Sequence, residues 1–179
     1  MTTYVPKEKH KLFLSYYHND DEWYRRSFTD QFRSYYLSKS VELGDIATDN
    51  GAEYIKRLIR ENYVADASVV VVLVGPKTKC RKHVDWEISA GLEPHSGRSG
   101  LLGILLPEFP LDKNTYNPDD LPFRSLENVN SGYAILRTWS YIDGNLSGLI
   151  SAVNEAFDKR LHDELAKNGM PQMRHNTCS

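Results

Sequence analysis

The sequence is poor in cysteine and has no long apolar run. Its 179 residues include only two cysteines, Cys80 and Cys178, which form neither a disulfide framework nor a metal-ligand spacing. We therefore expect a reducing, cytoplasmic environment and no structural disulfide. No apolar segment approaches the roughly 20 residues that cross a bilayer, and the polar residues 1–10 show no signal-peptide pattern.

The sequence also lacks an excess of either charge. Its formal net charge is -2, which gives no general attraction to nucleic acid or to an anionic membrane. The composition, 40% hydrophobic and 26% charged, is that of a globular protein, and the length suits one well-packed domain. We predict no nucleic-acid partner, no membrane partner and no metal site.

The most informative segment is an unbroken apolar run over residues 69–74, which ends at Gly75 and Pro76. A run of β-branched residues without polar alternation predicts a parallel strand that is covered on both faces. In open α/β sheets, ligands bind beyond the carboxyl ends of such strands. Glu87 follows one short basic loop later, so the sequence predicts a carboxylate at the ligand crevice.

Strand and helix patterns alternate along the chain. Strands are predicted for residues 11–17, 41–46, 68–74, 101–106 and 134–139, and helices for residues 19–37, 53–62, 83–92 and 146–165. This alternation predicts an α/β fold of the flavodoxin-like type, a five-stranded parallel sheet in the order 2-1-3-4-5 with helices on both faces.

The predicted domain covers residues 11–160, between an N-terminal arm (1–10) and a C-terminal segment (161–179) that comprises the end of a helix and a flexible tail. Residues 107–132 form a long connection that contains four prolines. Such a connection is unusual in a compact domain unless it folds over a site, so we interpret it as a rim of the crevice.

Three segments resemble the Toll/interleukin-1 receptor (TIR) fold, most closely the small TIR-like subunit of Thoeris antiphage systems. They are residues 13–16, the pair Asp45 and Ile46, and above all residues 69–92, of which residues 82–88 are the most specific part, within a resemblance that spans roughly residues 11–160. Enzymatic TIR domains carry an essential glutamate near the start of this helix, and Glu87 takes that place. The tryptophan usual in the family lies a few residues earlier, whereas here Trp86 is directly adjacent.

The resemblance implies an NAD+ hydrolase or cyclase that breaks the nicotinamide-ribose bond and releases ADP-ribose or a cyclic isomer. It further implies that this product is a signal in antiphage defence, read by a downstream effector, and that the domains self-assemble. NAD+ is then the substrate, and no other cofactor is expected. Nicotinamide leaves as a neutral group without needing a proton, so one ionised carboxylate, Glu87, suffices to stabilise the developing ribosyl cation.

Several further residues are candidate NAD+ contacts. Ser15, Tyr16 and Tyr17 close the first strand at the crevice, and strand alternation predicts that only one tyrosine faces the ligand.

Asp45 and Ile46 lie where family members carry a loop over NAD+, and Trp86 is a candidate beside Glu87. Lys77 and Lys79 belong to the basic loop 77–83, which is either a pyrophosphate-binding loop or a solubilising surface loop.

Two other functions remain open at this point. One is a non-catalytic TIR-like assembly module, which works by contacts between identical domains. The other is a nucleoside deoxyribosyltransferase-like enzyme, which shares the flavodoxin-like plan and uses a glutamate nucleophile. A receiver domain of two-component signalling is excluded, because the third strand ends in Val74, Gly75 and Pro76 where receivers need an aspartate.

Overall fold

A computed structural model describes residues 10–39, 51–94 and 97–178. Its strands are β1 (Lys11–Ser15), β2 (Leu37–Lys39), β3 (Val69–Val74), β4 (Gly100–Leu105) and β5 (Ile135–Thr138). They form one sheet in the order β2-β1-β3-β4-β5, in which all neighbouring strands are parallel. The prediction of an α/β fold with a parallel sheet is confirmed.

Helices connect the strands. They are α1 (His18–Phe32), α2 (Ala52–Leu58), α3 (Lys82–Gly91), α4 (Phe123–Asn130), α5 (Trp139–Ile142) and α6 (Leu146–Asp158). A π-helical segment, Ile59–Val64, continues α2, and short 3-10 turns occur at Thr78–Cys80, Pro118–Asp120, Lys159–Leu161 and Asp163–Leu165.

Both faces of strand β3 are covered. All six residues of β3 are buried, with Val70 and Val72 in one apolar cluster and Val69 and Val71 in the other. Successive strand side chains point to opposite faces, so a strand covered on both sides has no position for a polar residue. This explains the uninterrupted apolar run.

Helix α1 ends at Phe32, so the predicted helix over residues 19–37 is wrong at its C-terminal end. The spacing of Phe28, Phe32 and Tyr36 is helical, but Tyr36 reaches the core from the turn after the helix and is 1% exposed. The second described strand is Leu37–Lys39, whereas the predicted strand 41–46 lies outside the described residues. Similarly, α6 ends at Asp158 and is followed by 3-10 turns rather than continuing to Leu165.

Residues 107–132 are not a structureless connection, because they contain α4. The four prolines concealed this helix. One of them, Pro122, is the residue before its first turn, where the lack of an amide proton is tolerated. Arg124 of α4 donates a 2.8 Å hydrogen bond from Nε to Oδ1 of Asp85, which joins α4 to α3.

Cys80 and Cys178 form a disulfide, with their Cα atoms 5.4 Å apart, so the prediction of no disulfide is wrong. Their separation of 98 positions gives no sequence pattern, and only the fold brings them together. Within the described parts of the chain, no helix is both long and apolar enough to span a bilayer.

Residues 167–178, which include the tail predicted from Gly169 onward, form a segment that we call the strap. The strap lies against α3 and α4. Met173 donates its amide to Oδ2 of Asp85 at 2.8 Å, and its carbonyl accepts the indole N–H of Trp86 at 2.8 Å. Buried polar side chains of α3 and α4 thus have the strap backbone as their hydrogen-bond partner. These bonds hold the strap in place.

Candidate functional site

Glu87 lies in α3, at the edge of the sheet where β1 and β3 end. It is 4% exposed, and its Oε2 accepts a 2.5 Å hydrogen bond from Oγ of Ser15, the last residue of β1. The two residues meet because β1 pairs with β3 and the loop after β3 returns α3 to the same edge. This edge is where parallel α/β sheets bind ligands.

Burial changes the acidity of this carboxyl group. Desolvation raises the pKa of Glu87 from 4.5 to about 8, and the hydrogen bond from Ser15 partly opposes this by lowering it. At neutral pH the isolated group therefore favours its protonated form. A cation placed beside it would favour the ionised form and lower its pKa.

Glu87 lines a cavity of about 260 Å³, which we call the Glu87 cavity. The residues around it are Tyr16, Tyr17, His18, Asn19, Arg81, His83, Val84, Glu87 and Asn176. Tyrosine rings, two imidazoles and one guanidinium thus surround a single carboxyl group.

Tyr16 and Tyr17 both border the cavity, and Tyr16, which is 3% exposed, belongs to an apolar core cluster, as predicted for one of the two tyrosines. Both residues follow β1, which ends at Ser15. The Tyr16 hydroxyl donates to Glu22 at 2.6 Å, and its ring stacks on His18 with centroids 4.3 Å apart. The Tyr17 ring lies 3.9 Å beneath the guanidinium of Arg81.

Three predicted ligand contacts lie away from the cavity. Lys77 Nζ is 3.9 Å from an Asp20 carboxylate oxygen, and Lys79 Nζ donates to Asp120 at 2.7 Å. Trp86 is on another face of α3 from Glu87, under the strap.

Asp45 and Ile46 lie outside the described residues. Residues 107–132, all of them described, contribute nothing to the cavity lining, so their predicted role as its rim is wrong. Part of this segment instead binds Lys79.

Sequence reasoning missed other residues of the lining. Arg81 and His83 belong to the basic loop 77–83, so their closeness to Glu87 in the sequence could have identified them as lining residues. Partial burial lowers the pKa of His83, as do the charges of Lys82 and His18, which favours a neutral imidazole. Asn176 had no such signal, because it reaches the cavity from the strap.

A larger cavity of about 570 Å³ lies on another side of α3, bordered by Trp86 and by basic residues of the α2 region such as Lys56 and Arg57. It does not include Glu87. We assign the candidate site to the smaller cavity because that one holds a buried carboxyl group with a strongly raised pKa.

The family model described as Thoeris protein ThsB, TIR-like domain, matches residues 13–109, which are 97 of the 179 residues. The chain belongs to this TIR-like family. A solved structure similar to it is that of the TIR domains of the activated Roq1 resistosome, which directly recognises the pathogen effector XopQ. That similarity has 11% identity and a TM-score of 0.41, and it covers 88% of this chain and 83% of the other. The comparison with curated proteins finds no match.

The match to the TIR-like family includes most of the candidate site. Ser15, Arg81 and Glu87 all lie within the matched range. Asn176 and the rest of the strap lie outside it.

Proposed function

We propose that this TIR-like protein cleaves the nicotinamide-ribose bond of NAD+ and releases nicotinamide together with ADP-ribose or a cyclic isomer. In this proposal the nucleotide product is a signal in bacterial antiphage defence, which a downstream effector senses. The observation that supports it is the buried carboxyl group of Glu87, held by Ser15 in a cavity lined by aromatic rings.

The chemistry of NAD+ suits a site with one acid. Most glycosidases use two carboxyl groups, because the leaving oxygen must be protonated while the second group stabilises the sugar cation. Nicotinamide is already a pyridinium in NAD+ and leaves as a neutral base. One ionised carboxylate beside the ribose is therefore enough for electrostatic stabilisation of the transition state.

The positive charge of the nicotinamide ring also affects the protonation state of Glu87. Glu87 has a pKa near 8 in the free protein, so at neutral pH it must lose a proton before it can stabilise a cation. Entry of the pyridinium favours the carboxylate, because an opposite charge within a few ångströms lowers the pKa of an acid. Substrate binding and ionisation of Glu87 are thus coupled, with release of a proton.

The small volume of the cavity favours one competing proposal. A volume of about 260 Å³ is below the roughly 300–1,000 Å³ of ordinary small-molecule pockets, which suits a non-catalytic assembly module. The third proposal, a deoxyribosyltransferase-like enzyme, would use Glu87 as a nucleophile on a deoxynucleoside.

Product analysis after incubation with NAD+ or with deoxynucleosides separates the three proposals, and Glu87→Gln tests the residue. Glutamine keeps the size of the side chain but removes the negative charge. We expect nicotinamide release to fall at least about 100-fold, which corresponds to about 3 kcal/mol of transition-state stabilisation. The matched control is Glu61→Gln, an exposed glutamate outside the cavity, which should retain the wild-type rate.

Release of nicotinamide by Glu87→Gln at the wild-type rate would remove Glu87 from the reaction. Absence of any reaction with NAD+ or deoxynucleosides, at protein concentrations where the chain self-associates, would favour the assembly module.

A further inference from the structure

Arg81 carries an unsatisfied charge at the Glu87 cavity. Its Nε and Nη2 atoms are buried and have no hydrogen-bond partner among the described residues. Its guanidinium packs on the ring of Tyr17 at 3.9 Å, and both side chains line the cavity. A buried donor without a partner is unfavourable, and more so when it is charged, so this arrangement favours a ligand that accepts its hydrogen bonds.

The other cations of the basic loop differ from Arg81 in this respect. Lys79 is paired with Asp120, Lys77 lies near Asp20, and the Lys82 ammonium lies 5.3 Å from the centroid of the Trp86 ring. None of these three lines the Glu87 cavity. A guanidinium presents a planar fork of donors that fits two phosphate oxygens, and stacking on Tyr17 holds that fork in one orientation.

We infer that Arg81 binds a phosphate group of the ligand in the Glu87 cavity. The inference rests on the proposed function for the identity of that ligand, whose pyrophosphate would lie at Arg81 while its ribose lies at Glu87. Nicotinamide riboside, which lacks phosphate, provides a probe that cannot make this contact.

Calorimetric binding of ADP-ribose to wild type, Arg81→Ala and Arg81→Lys tests the inference without any turnover. We expect Arg81→Ala to raise the Kd at least about tenfold, and Arg81→Lys to recover only part of the loss. Binding of nicotinamide riboside should be unchanged. Lys79→Ala is the matched control, since it removes a cation of the same loop that lies outside the cavity.

Equal ADP-ribose affinity in wild type and Arg81→Ala, or no binding to wild type, would overturn the role of Arg81. Nicotinamide release measured on the same proteins separates this failure from that of the proposed function. Turnover with an unchanged KM in Arg81→Ala would reject only the phosphate contact. If Arg81→Ala loses ADP-ribose binding and the wild type releases no nicotinamide, the phosphate contact of Arg81 is supported and the proposed cleavage of NAD+ is rejected.

A second inference is carried by the strap, which is held unequally along its length. Its first part, residues 167–173, is anchored by buried side chains. Asn128 exchanges two hydrogen bonds with the Lys167 backbone, Arg124 binds Asn168, and Asp85 accepts the Met173 amide.

Its last part, residues 174–178, has weaker attachments. The Lys82 amide donates to Oδ1 of Asn176 at 3.0 Å, the Thr177 amide donates to the Cys80 carbonyl at 3.0 Å, and Cys178 is bonded to Cys80. Residues 174–177 are exposed. The disulfide is therefore the one covalent restraint that this part of the strap shows among the described residues, and Asn176 lies between it and the anchored part.

We propose that the Cys80–Cys178 disulfide is a redox-sensitive clasp that keeps the strap over the Glu87 cavity. A dithiol reductant would transfer two electrons and two protons to the disulfide, giving two thiols and the oxidised, cyclic form of the reductant. Residues 174–178 could then move away, which would withdraw Asn176 from the lining and widen a cavity that is small for a dinucleotide. This proposal rests on the proposed function only for the effect on NAD+.

Hydrogen exchange on the oxidised and the dithiothreitol-reduced protein tests the clasp directly. We expect the amides of Thr177 and Lys82 to exchange at least about tenfold faster after reduction. Thr177 lies in the last part of the strap, and the Lys82 amide donates to Asn176 of the same part. The Met173 amide is the internal control, because its bond to Asp85 lies in the anchored part. Cys178→Ser should show the fast exchange without reductant and no further response to it.

NAD+ kinetics test the consequence of the clasp. Reduction of wild type should lower the KM for NAD+ severalfold, and Cys178→Ser should have the lower KM in both conditions. Unchanged exchange of Thr177 and Lys82 on reduction would overturn the clasp. Faster exchange with an unchanged KM would overturn its control of the site. If neither form releases nicotinamide, the proposed reaction fails, and the exchange rates still decide whether the clasp exists.

Discussion

Glu87 combines burial with a function that requires charge. Its pKa of about 8 means that the free protein at neutral pH holds mostly the neutral acid, while stabilisation of a ribosyl cation needs the carboxylate. The proposed reaction therefore predicts how kcat/KM and kcat depend on pH. The protonation state of the free protein governs kcat/KM, and that of the substrate complex governs kcat.

We predict that kcat/KM for NAD+ increases with pH and levels off above about 8. The sign follows from the raised pKa, since the active carboxylate is scarce below that value. kcat should also increase with pH, but its increase should occur at a lower pH than that of kcat/KM, because the pyridinium of bound NAD+ favours ionisation of Glu87. Nicotinamide release between pH 5.5 and 9.5 measures both profiles, and a kcat/KM that is constant between pH 7 and pH 9 would contradict the assignment.

Ser15 is predicted to act through Glu87 rather than on the ligand. Its hydroxyl donates to Glu87 Oε2 and lowers the pKa of that carboxyl group, so Ser15→Ala should move the kcat/KM profile to higher pH. A lost hydrogen bond of about 1 kcal/mol corresponds to about fivefold lower kcat/KM at pH 7, with most of the loss recovered at pH 9.5. Ser151→Ala, an exposed serine on α6, is the control. A loss of the same size at every pH would show a purely structural role.

At the scale of secondary-structure elements, a buried ion pair joins α3, α4 and the strap. Arg124 is almost fully buried and binds Asp85 of α3 as well as Asn168 and the Met170 carbonyl of the strap. Asp85 also accepts the Met173 amide. Removing one member of such a group leaves the others buried without partners, which is much more costly than losing an exposed pair.

We predict that Arg124→Ala lowers the free energy of unfolding by about 3–5 kcal/mol, as measured by urea denaturation. Arg137→Ala provides the comparison, because it breaks a partly exposed pair with Glu155 and should cost less than about 1 kcal/mol. Similar losses in the two variants would show that the Arg124 group does not join the three elements as the structure indicates.

At the scale of the whole molecule, the disulfide closes a long part of the chain. It joins the turn after β3 to the C-terminus across 98 positions, a loop that includes β4, β5 and helices α3 to α6. A cross-link of this length stabilises a protein mainly by restricting its unfolded state.

Reduction of the disulfide should lower the free energy of unfolding by roughly 2–4 kcal/mol, and Cys178→Ser should reproduce the loss. Urea denaturation with and without dithiothreitol measures the difference. The reductant should have no effect on Cys178→Ser, which controls for effects unrelated to the disulfide. Identical stability of the oxidised and the reduced wild type would contradict this contribution.

The α/β class, the buried strand β3 and the nearness of Glu87 to the carboxyl end of that strand all follow from the sequence alone. Each of these depends on a local pattern. The apolar run 69–74 reports burial on both faces, the residues after it report a turn, and the start of α3 follows within a few positions. The resemblance of residues 82–88 to TIR domains likewise uses neighbouring residues only.

Which side chains share a site depends on how distant parts of the chain pack together. Asn176 reaches the Glu87 cavity, Cys178 reaches Cys80, and Arg124 reaches Asp85, although members of these sets are 39 to 98 positions apart. Periodicity shows that a residue is buried, but not which distant residue it meets, because that depends on the packing of α4 and the strap against α3. Tyr16 and Tyr17 both line the cavity for a related reason: the point where β1 ends is set by its pairing with β3, and the local alternation of side chains does not reveal it.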